Sequence, residues 1–139
     1  MTIGGSTAEA ELADLAPWPN SAPAITRDER LARIAKARTL MAEVAADAIL
    51  IGAGASLRYF AGVAWDATER LVALLLPREG EPVMICPRFE DGSLLASLGI
   101  DAGLRLWEEH ESPYDLTAAA MAELGVGTLA IDPALPFIV

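Results

Sequence analysis

Ser56-Leu-Arg-Tyr-Phe-Ala-Gly-Val-Ala-Trp-Asp-Ala-Thr-Glu-Arg-Leu-Val-Ala-Leu-Leu-Leu-Pro-Arg-Glu-Gly-Glu-Pro-Val-Met-Ile-Cys-Pro87 is the stretch that decides the fold. Ser56 offers a cap for a short helix through Phe60, and Gly62 ends it. Arg70 to Leu76 then reads as a continuous apolar strand, the pattern of a sheet covered on both faces. Pro77-Arg-Glu-Gly-Glu81 makes a turn, and Pro82 to Cys86 returns as a second strand. The short connection predicts an antiparallel hairpin.

Working upstream, Thr26-Arg-Asp-Glu29 is a capping box, in which Thr26 accepts from a free backbone N–H and Glu29 reaches back. Leu31, Ile34, Ala37, Met41 and Val44 recur at helical steps, which predicts a helix from Arg27 to Ala45. Ala48-Ile-Leu-Ile51 follows as a short buried strand, broken by Gly52-Ala-Gly54. Downstream, Phe89 to Leu98 reads as a helix closed by Gly99, and Leu104-Arg-Leu-Trp107 as a strand. Leu116 to Leu124 reads as a helix ended by Gly125, and Thr128-Leu-Ala-Ile131 as a last strand stopped by Asp132-Pro133. Strands alternating with helices indicate an α/β domain, and the hairpin makes its sheet mixed. Residues 1–25 mix Gly, Ser, Pro and acids without a sustained apolar period and read as an arm, poorly ordered by composition. The domain proper then covers residues 26–139. Its apolar ending, Pro136-Phe-Ile-Val139, reads as the start of another element that is cut off or packs on something absent.

The composition excludes several classes of function. Net charge is −10, from 10 basic and 20 acidic residues. That argues against nucleic-acid binding, which depends on neutralising phosphates with Lys and Arg. It argues equally against docking on anionic lipid. The longest clean apolar run, Leu71 to Leu76, is far too short to cross a bilayer. One cysteine forms no internal disulfide, so a reducing cytoplasm is the expected location. Apolar residues make up 53% of the chain, enough for a substantial core.

Few residues could carry a reaction. Gly52-Ala-Gly54 follows a strand as in a dinucleotide-binding loop, but Leu57 stands where a third glycine belongs, and a strand-ending turn explains the pair. His110 lies among Glu108, Glu109, Glu111 and Asp115 without a second nitrogen ligand, which reads as a solvated acidic loop. Cys86 falls in an apolar strand, where an inert thiol is the usual state. The sequence therefore offers no catalytic residue and no metal ligand set. Tyr59, Trp65 and Arg70 are different. Trp65 sits in a loop with no periodic reason to be buried, and Arg70 opens a strand. An aromatic ring and a guanidinium together can cover a small ligand and hold its carboxylate. A loop tryptophan capping its own core, with Arg70 paired to Glu69 or Asp66, explains the same residues equally well.

At these residues the chain resembles the N-terminal domain of the creatinase/prolidase family, the pita-bread metallopeptidases that include Xaa-Pro dipeptidases and aminopeptidases P. The resemblance lies in an ordered set. A basic helix from Arg30-Leu-Ala-Arg-Ile-Ala-Lys36 leads into Asp47-Ala-Ile-Leu-Ile51. Tyr59-Phe-Ala-Gly62 is similar to the family's Tyr-Phe-Thr-Gly, with Ala61 in place of threonine. Glu69-Arg70, the apolar strand and Pro82 to Phe89 follow in register, so that the likeness covers Thr26 to Pro133.

The resemblance implies a ribonuclease-H-like α/β domain with a mixed sheet, ahead of a catalytic domain that holds two divalent metal ions, manganese, cobalt or zinc, on two Asp, one His and two Glu. That domain is missing from this chain, so none of those ligands transfers. The resemblance also implies a dimer or tetramer, in which this domain lends residues to a neighbouring active site. Arg70 would grip the carboxylate of a short proline-containing peptide or a creatine-like substrate, and an aromatic from Tyr59 to Trp65 would narrow the pocket. The expectation is thus a non-catalytic domain of a metal-dependent Xaa-Pro peptidase or, less in keeping with the set, a creatinase-like amidinohydrolase. A free-standing interaction module of the same fold is the alternative. A nucleotide-binding domain using Gly52 to Ser56 is a third.

Overall fold

The structure is a computed structural model and describes residues 2, 4–17 and 19–135. The apolar ending Pro136–Val139 lies outside the described residues. Five strands form one sheet: β1 (Ala48–Gly52), β2 (Ala73–Pro77), β3 (Val83–Pro87), β4 (Gly103–Trp107) and β5 (Leu129–Ile131). Their order is β4-β3-β2-β1-β5. β2 is antiparallel to both neighbours, while β4 runs parallel to β3 and β5 parallel to β1. The sheet is mixed because the hairpin β2–β3 forms as its turn chemistry demands.

Helices cover both faces. On one side, α2 (Arg27–Glu43), α3 (Ala55–Ala61) and α4 (Asp91–Ser97) bury Ile34, Met41, Leu57, Ala61 and Leu94 against Ile51, Leu74, Leu76, Met84 and Cys86. On the other, α5 (Pro113–Glu123) brings Ala120 and Leu116 against Ala48, Leu50, Ala73, Leu75, Ile85 and Trp107. Alternate residues of β2 thus serve opposite cores, and all five of its residues are buried. Burying each leucine contributes about 1.5–3 kcal/mol. Trp107 satisfies its indole by donating from Nε1 to the Leu71 carbonyl at 3.2 Å.

Several boundaries differ from the sequence reading. Thr26 caps α2 as expected, accepting from the Glu29 amide at 3.2 Å. The helix stops at Glu43, not Ala45. Ala45 takes φ +54°, and the amides of Ala45 and Ala46 donate to the carbonyls of Ala42 and Met41, a Schellman ending. Val44 is therefore 71% exposed rather than part of the buried stripe, and Leu31 is also exposed. Gly54, not Ser56, occupies the cap position of α3, and Ser56 lies inside the first turn. Gly62 ends that helix at φ +85°, as expected. β2 begins at Ala73, because β1 runs out opposite it at Gly52, which leaves Arg70 in the preceding bend rather than in the strand. The stretch after β3 is a 3-10 turn, Arg88–Glu90, and then α4. α5 begins at Pro113, three residues before Leu116, under a Ser112 cap. Within the N-terminal arm, α1 (Ala8–Ala13) forms under a Thr7 cap and buries no residue.

Candidate functional site

The C-terminal ends of β1, β3, β4 and β5 and the start of β2 share one rim of the sheet. Polar side chains that the sequence scatters meet there. Arg70 Nε donates to Glu109 Oε1 at 2.7 Å, and Arg70 Nη1 donates to Glu69 Oε1 at 2.6 Å. The Arg70 guanidinium also lies 5.5 Å from the Phe89 ring centroid. The hydrogen bond to Glu109, with the charges of Glu109, Glu69 and Glu90, raises the pKa of Arg70 above its ordinary value against a smaller effect of desolvation. Arg88 pairs with Glu108 next to this cluster. The acidic stretch around His110 is thus partly ion-paired rather than simply solvated, while His110 itself is exposed.

Arg70 lines a depression with Ala53, Thr68, Tyr114 and Leu135 that holds about 20 Å³. Space of that size admits about one water molecule. Trp65 lines a different and larger groove, of about 400 Å³, with Gly54, Ala55, Arg58, Ala64 and Asp66. Its ring is half-buried and packs against the core on the α2–α3 side of the sheet. Tyr59 lines neither space. Arg33 stacks 4.1 Å from the Tyr59 ring centroid and donates to the Tyr59 carbonyl at 2.9 Å. The Phe60 ring meets Tyr59 edge-on at 4.9 Å. Tyr59, Trp65 and Arg70 therefore occupy three distinct surroundings.

The sequence reading missed Arg58 and Asp66, which share the Trp65 groove, and Glu109, which holds Arg70. α3 buries Leu57 and Ala61, and that spacing sets Arg58 on its exposed face. Leu57, in the place of a third fingerprint glycine, is fully buried in the core. Cys86 is buried in β3, and desolvation, with the charges of Glu90 and Asp91, pushes its thiol up to about 12. Among the described residues no three His, Cys, Asp or Glu side chains gather in a group that could hold a metal ion. The residues present thus do not fit the metal pair that the resemblance implies for the catalytic domain. No helix among the described residues is long and apolar enough to cross a membrane.

Comparison with known proteins gives consistent matches. Residues 33–137 match the family model described as the Creatinase/Prolidase N-terminal domain. The chain is 35% identical over 107 residues to the probable dipeptidase PepE of Mycobacterium tuberculosis, which covers 74% of this chain and 28% of that protein. The crystal structure of dipeptidase PepE from Mycobacterium ulcerans superposes with a TM-score of 0.68 at 30% identity, over 79% of this chain and 30% of that one. The N-terminal domain of an Xaa-Pro dipeptidase from Lactobacillus brevis has the same fold, with a TM-score of 0.68 at 18% identity, over 76% of this chain and 80% of that one. The chain spans less than a third of the length of the curated relative.

Proposed function

The chain belongs to the creatinase/prolidase N-terminal domain family, and from that premise we propose that it is the non-catalytic domain of a metal-dependent Xaa-Pro dipeptidase or aminopeptidase. The observation that carries this reading is the match to a probable dipeptidase over 74% of this chain but only 28% of that protein. The hydrolytic centre then belongs to a part of the parent outside these 139 residues. Two divalent metal ions there would supply activated water and Lewis acidity.

This domain's work is to shape and assemble. Its surfaces join subunits of a dimer or tetramer in the cytoplasm. Tyr59 and Trp65 narrow the entrance for a short proline-containing peptide. Arg70 meets the substrate's carboxylate by exchanging Glu109 or Glu69 for it, since both carboxylates occupy its donors. The buried, unpaired Cys86 is in keeping with a reducing compartment.

The test is the reading frame beyond Val139. It is expected to encode a second domain carrying two Asp, one His and two Glu as metal ligands. A natural stop codon at that point would replace this reading with the free-standing interaction module. The isolated chain is expected to show no turnover of Ala-Pro or Gly-Pro with added Mn²⁺, and turnover that survives repurification would refute the non-catalytic assignment.

A further inference from the structure

Two glycines frame one arginine. A Cβ at position 99 would lie 2.6 Å from Arg30 Nε, and a Cβ at position 62 would lie 3.0 Å from the same guanidinium. Gly62 has its own reason to be glycine, because its φ of +85° ends α3. Gly99 has none in its backbone, whose φ is not positive. What calls for glycine there is the space that Arg30 fills. The amide of Gly99 donates to the Ala61 carbonyl at 2.7 Å, which fixes this seat to the end of α3. Arg30 is thus partly buried and held in place.

The seat leaves most of the guanidinium unspent. A guanidinium carries five N–H donors. Among the described residues the Arg30 side chain makes one hydrogen bond, to the Arg58 carbonyl at 3.4 Å, and no ion pair with a carboxylate. Arg30 lines a groove of about 340 Å³, between the start of α2 and the segment that follows α4. Arg27 stands beside it, Ile25, Leu98 and Ile100 give the groove an aliphatic wall, and Asp101 pairs with Arg27 at its side. Two guanidinium groups against one carboxylate leave one positive charge in excess. The groove therefore complements a monoanion with an aliphatic body. Asp101 repels a second negative charge, and its pairing with Arg27 leaves no carboxylate for an ammonium, so a dianion and a zwitterion both fit poorly.

We propose that this groove binds a short aliphatic monocarboxylate, with Arg30 as the residue that anchors its carboxylate. Because Gly62 and Gly99 already hold Arg30 in place, little side-chain freedom is lost on binding. The proposal goes beyond the dipeptidase reading and does not rest on it.

The experiment is a titration of the whole chain followed by ¹H–¹⁵N correlation spectra, with the amides of Gly99 and Ile100 as reporters. Hexanoate is expected to shift both signals saturably with a Kd near 1 mM. Hexanamide, which lacks the charge, and inorganic phosphate, which lacks the apolar body, are each expected to bind about tenfold more weakly. Arg30→Gln is expected to weaken hexanoate about tenfold, and Ile25→Ser about threefold. Arg105→Gln, which breaks an ion pair with Glu123 elsewhere on the domain, is expected to leave it unchanged. Asp101→Asn is expected to tighten hexanoate about threefold, by freeing Arg27 and removing a like charge. The spectra report whether each variant is folded, and Asp101, with its side chain 80% exposed, carries the charge test even where Arg30→Gln does not fold. No saturable shift below about 50 mM, equal binding of hexanamide or phosphate, a folded Arg30→Gln that binds as before, or an Asp101→Asn that fails to tighten would each overturn the proposal. Failure of the dipeptidase reading shows separately, in the downstream reading frame, and leaves these titrations unchanged.

Discussion

Arg70 and Glu109 are joined by a 2.7 Å hydrogen bond across 39 positions of sequence, which fastens the bend before β2 to the turn after β4. Both side chains are partly exposed, so the pair contributes little to folding and is screened by salt. Its consequence is competition. In the full-length parent, Arg70→Ala is expected to raise KM for substrates with a free carboxylate. Glu109→Gln, which removes the competitor, is expected to lower it. Steady-state kinetics on a dipeptide and its C-terminal amide check this, and if both variants match the parent enzyme, Arg70 is purely structural.

The Schellman endings of α2 and α5 are the same motif with different residues at the left-handed position. Ala45 holds φ +54° in one and Gly125 holds φ +68° in the other. The amides of Gly125 and Val126 donate to Ala122 and Met121, as those of Ala45 and Ala46 do to Ala42 and Met41. A Cβ is unfavourable in that conformation. Ala45→Gly should therefore stabilise the domain by about 0.5–1 kcal/mol, and Gly125→Ala should destabilise it by about 1 kcal/mol. Urea denaturation midpoints at constant slope give both values.

Asp47 fixes the entry to β1 to the approach of β5. Its Oδ2 accepts from the amides of Thr128 at 2.9 Å and Gly127 at 3.0 Å, and Oδ1 pairs with Arg78 at 3.2 Å. Those two backbone hydrogen bonds, helped by Arg78 and opposed by partial desolvation, hold its pKa below the ordinary 3.8. A carboxylate with a depressed folded-state pKa stabilises above its unfolded value and loses that contribution as pH falls through the folded one. Asp47→Asn is thus expected to be less stable than the parent chain above about pH 5, with the gap closing below that. Denaturation midpoints taken from pH 7 to pH 2 follow the gap, and a constant difference throughout would contradict the assignment.

Cys86, with its thiol pushed up to about 12 inside β3, should be inert in the native chain. Ellman's reagent at pH 8 is expected to give no release from the folded protein and one equivalent in denaturing guanidinium. Prompt reaction under native conditions would show an opening of β3 that the packing does not predict.

Much of the fold is legible from local pattern. The apolar runs of β2 and β3 flank an unmistakable turn, and Thr26 and Gly62 behave as their chemistry dictates. The errors arise where a distant element sets the boundary. Leu71 and Val72 look like strand, but the ladders of β2 to β1 and to β3 both stop at Ala73. Ser56 looks like a cap, yet the preceding strand finishes early enough for Gly54 to take that place.

The site was less legible for the same reason. Arg30 reads as an ordinary position of a basic helix. Its seat emerges only when Gly62 and Gly99, far along the chain, close around it. The sequence leaves Trp65 either facing a ligand or capping its own core; in the structure it is half-buried against the core and lines a groove.

The pairing of β1 with two strands of very different provenance carries a kinetic meaning. Ala48 lies opposite Pro77 of the nearby hairpin and also opposite Leu129, close to the last described residue. Ring closure over the longer span sacrifices more chain freedom before any contact rewards it. The three-residue β5 should thus zip on last and peel away first. Deuterium uptake should be quickest at Leu129–Ile131 and slowest at Leu74–Leu76, so that wear on this molecule begins at its outer seam while the middle of the sheet stays sealed.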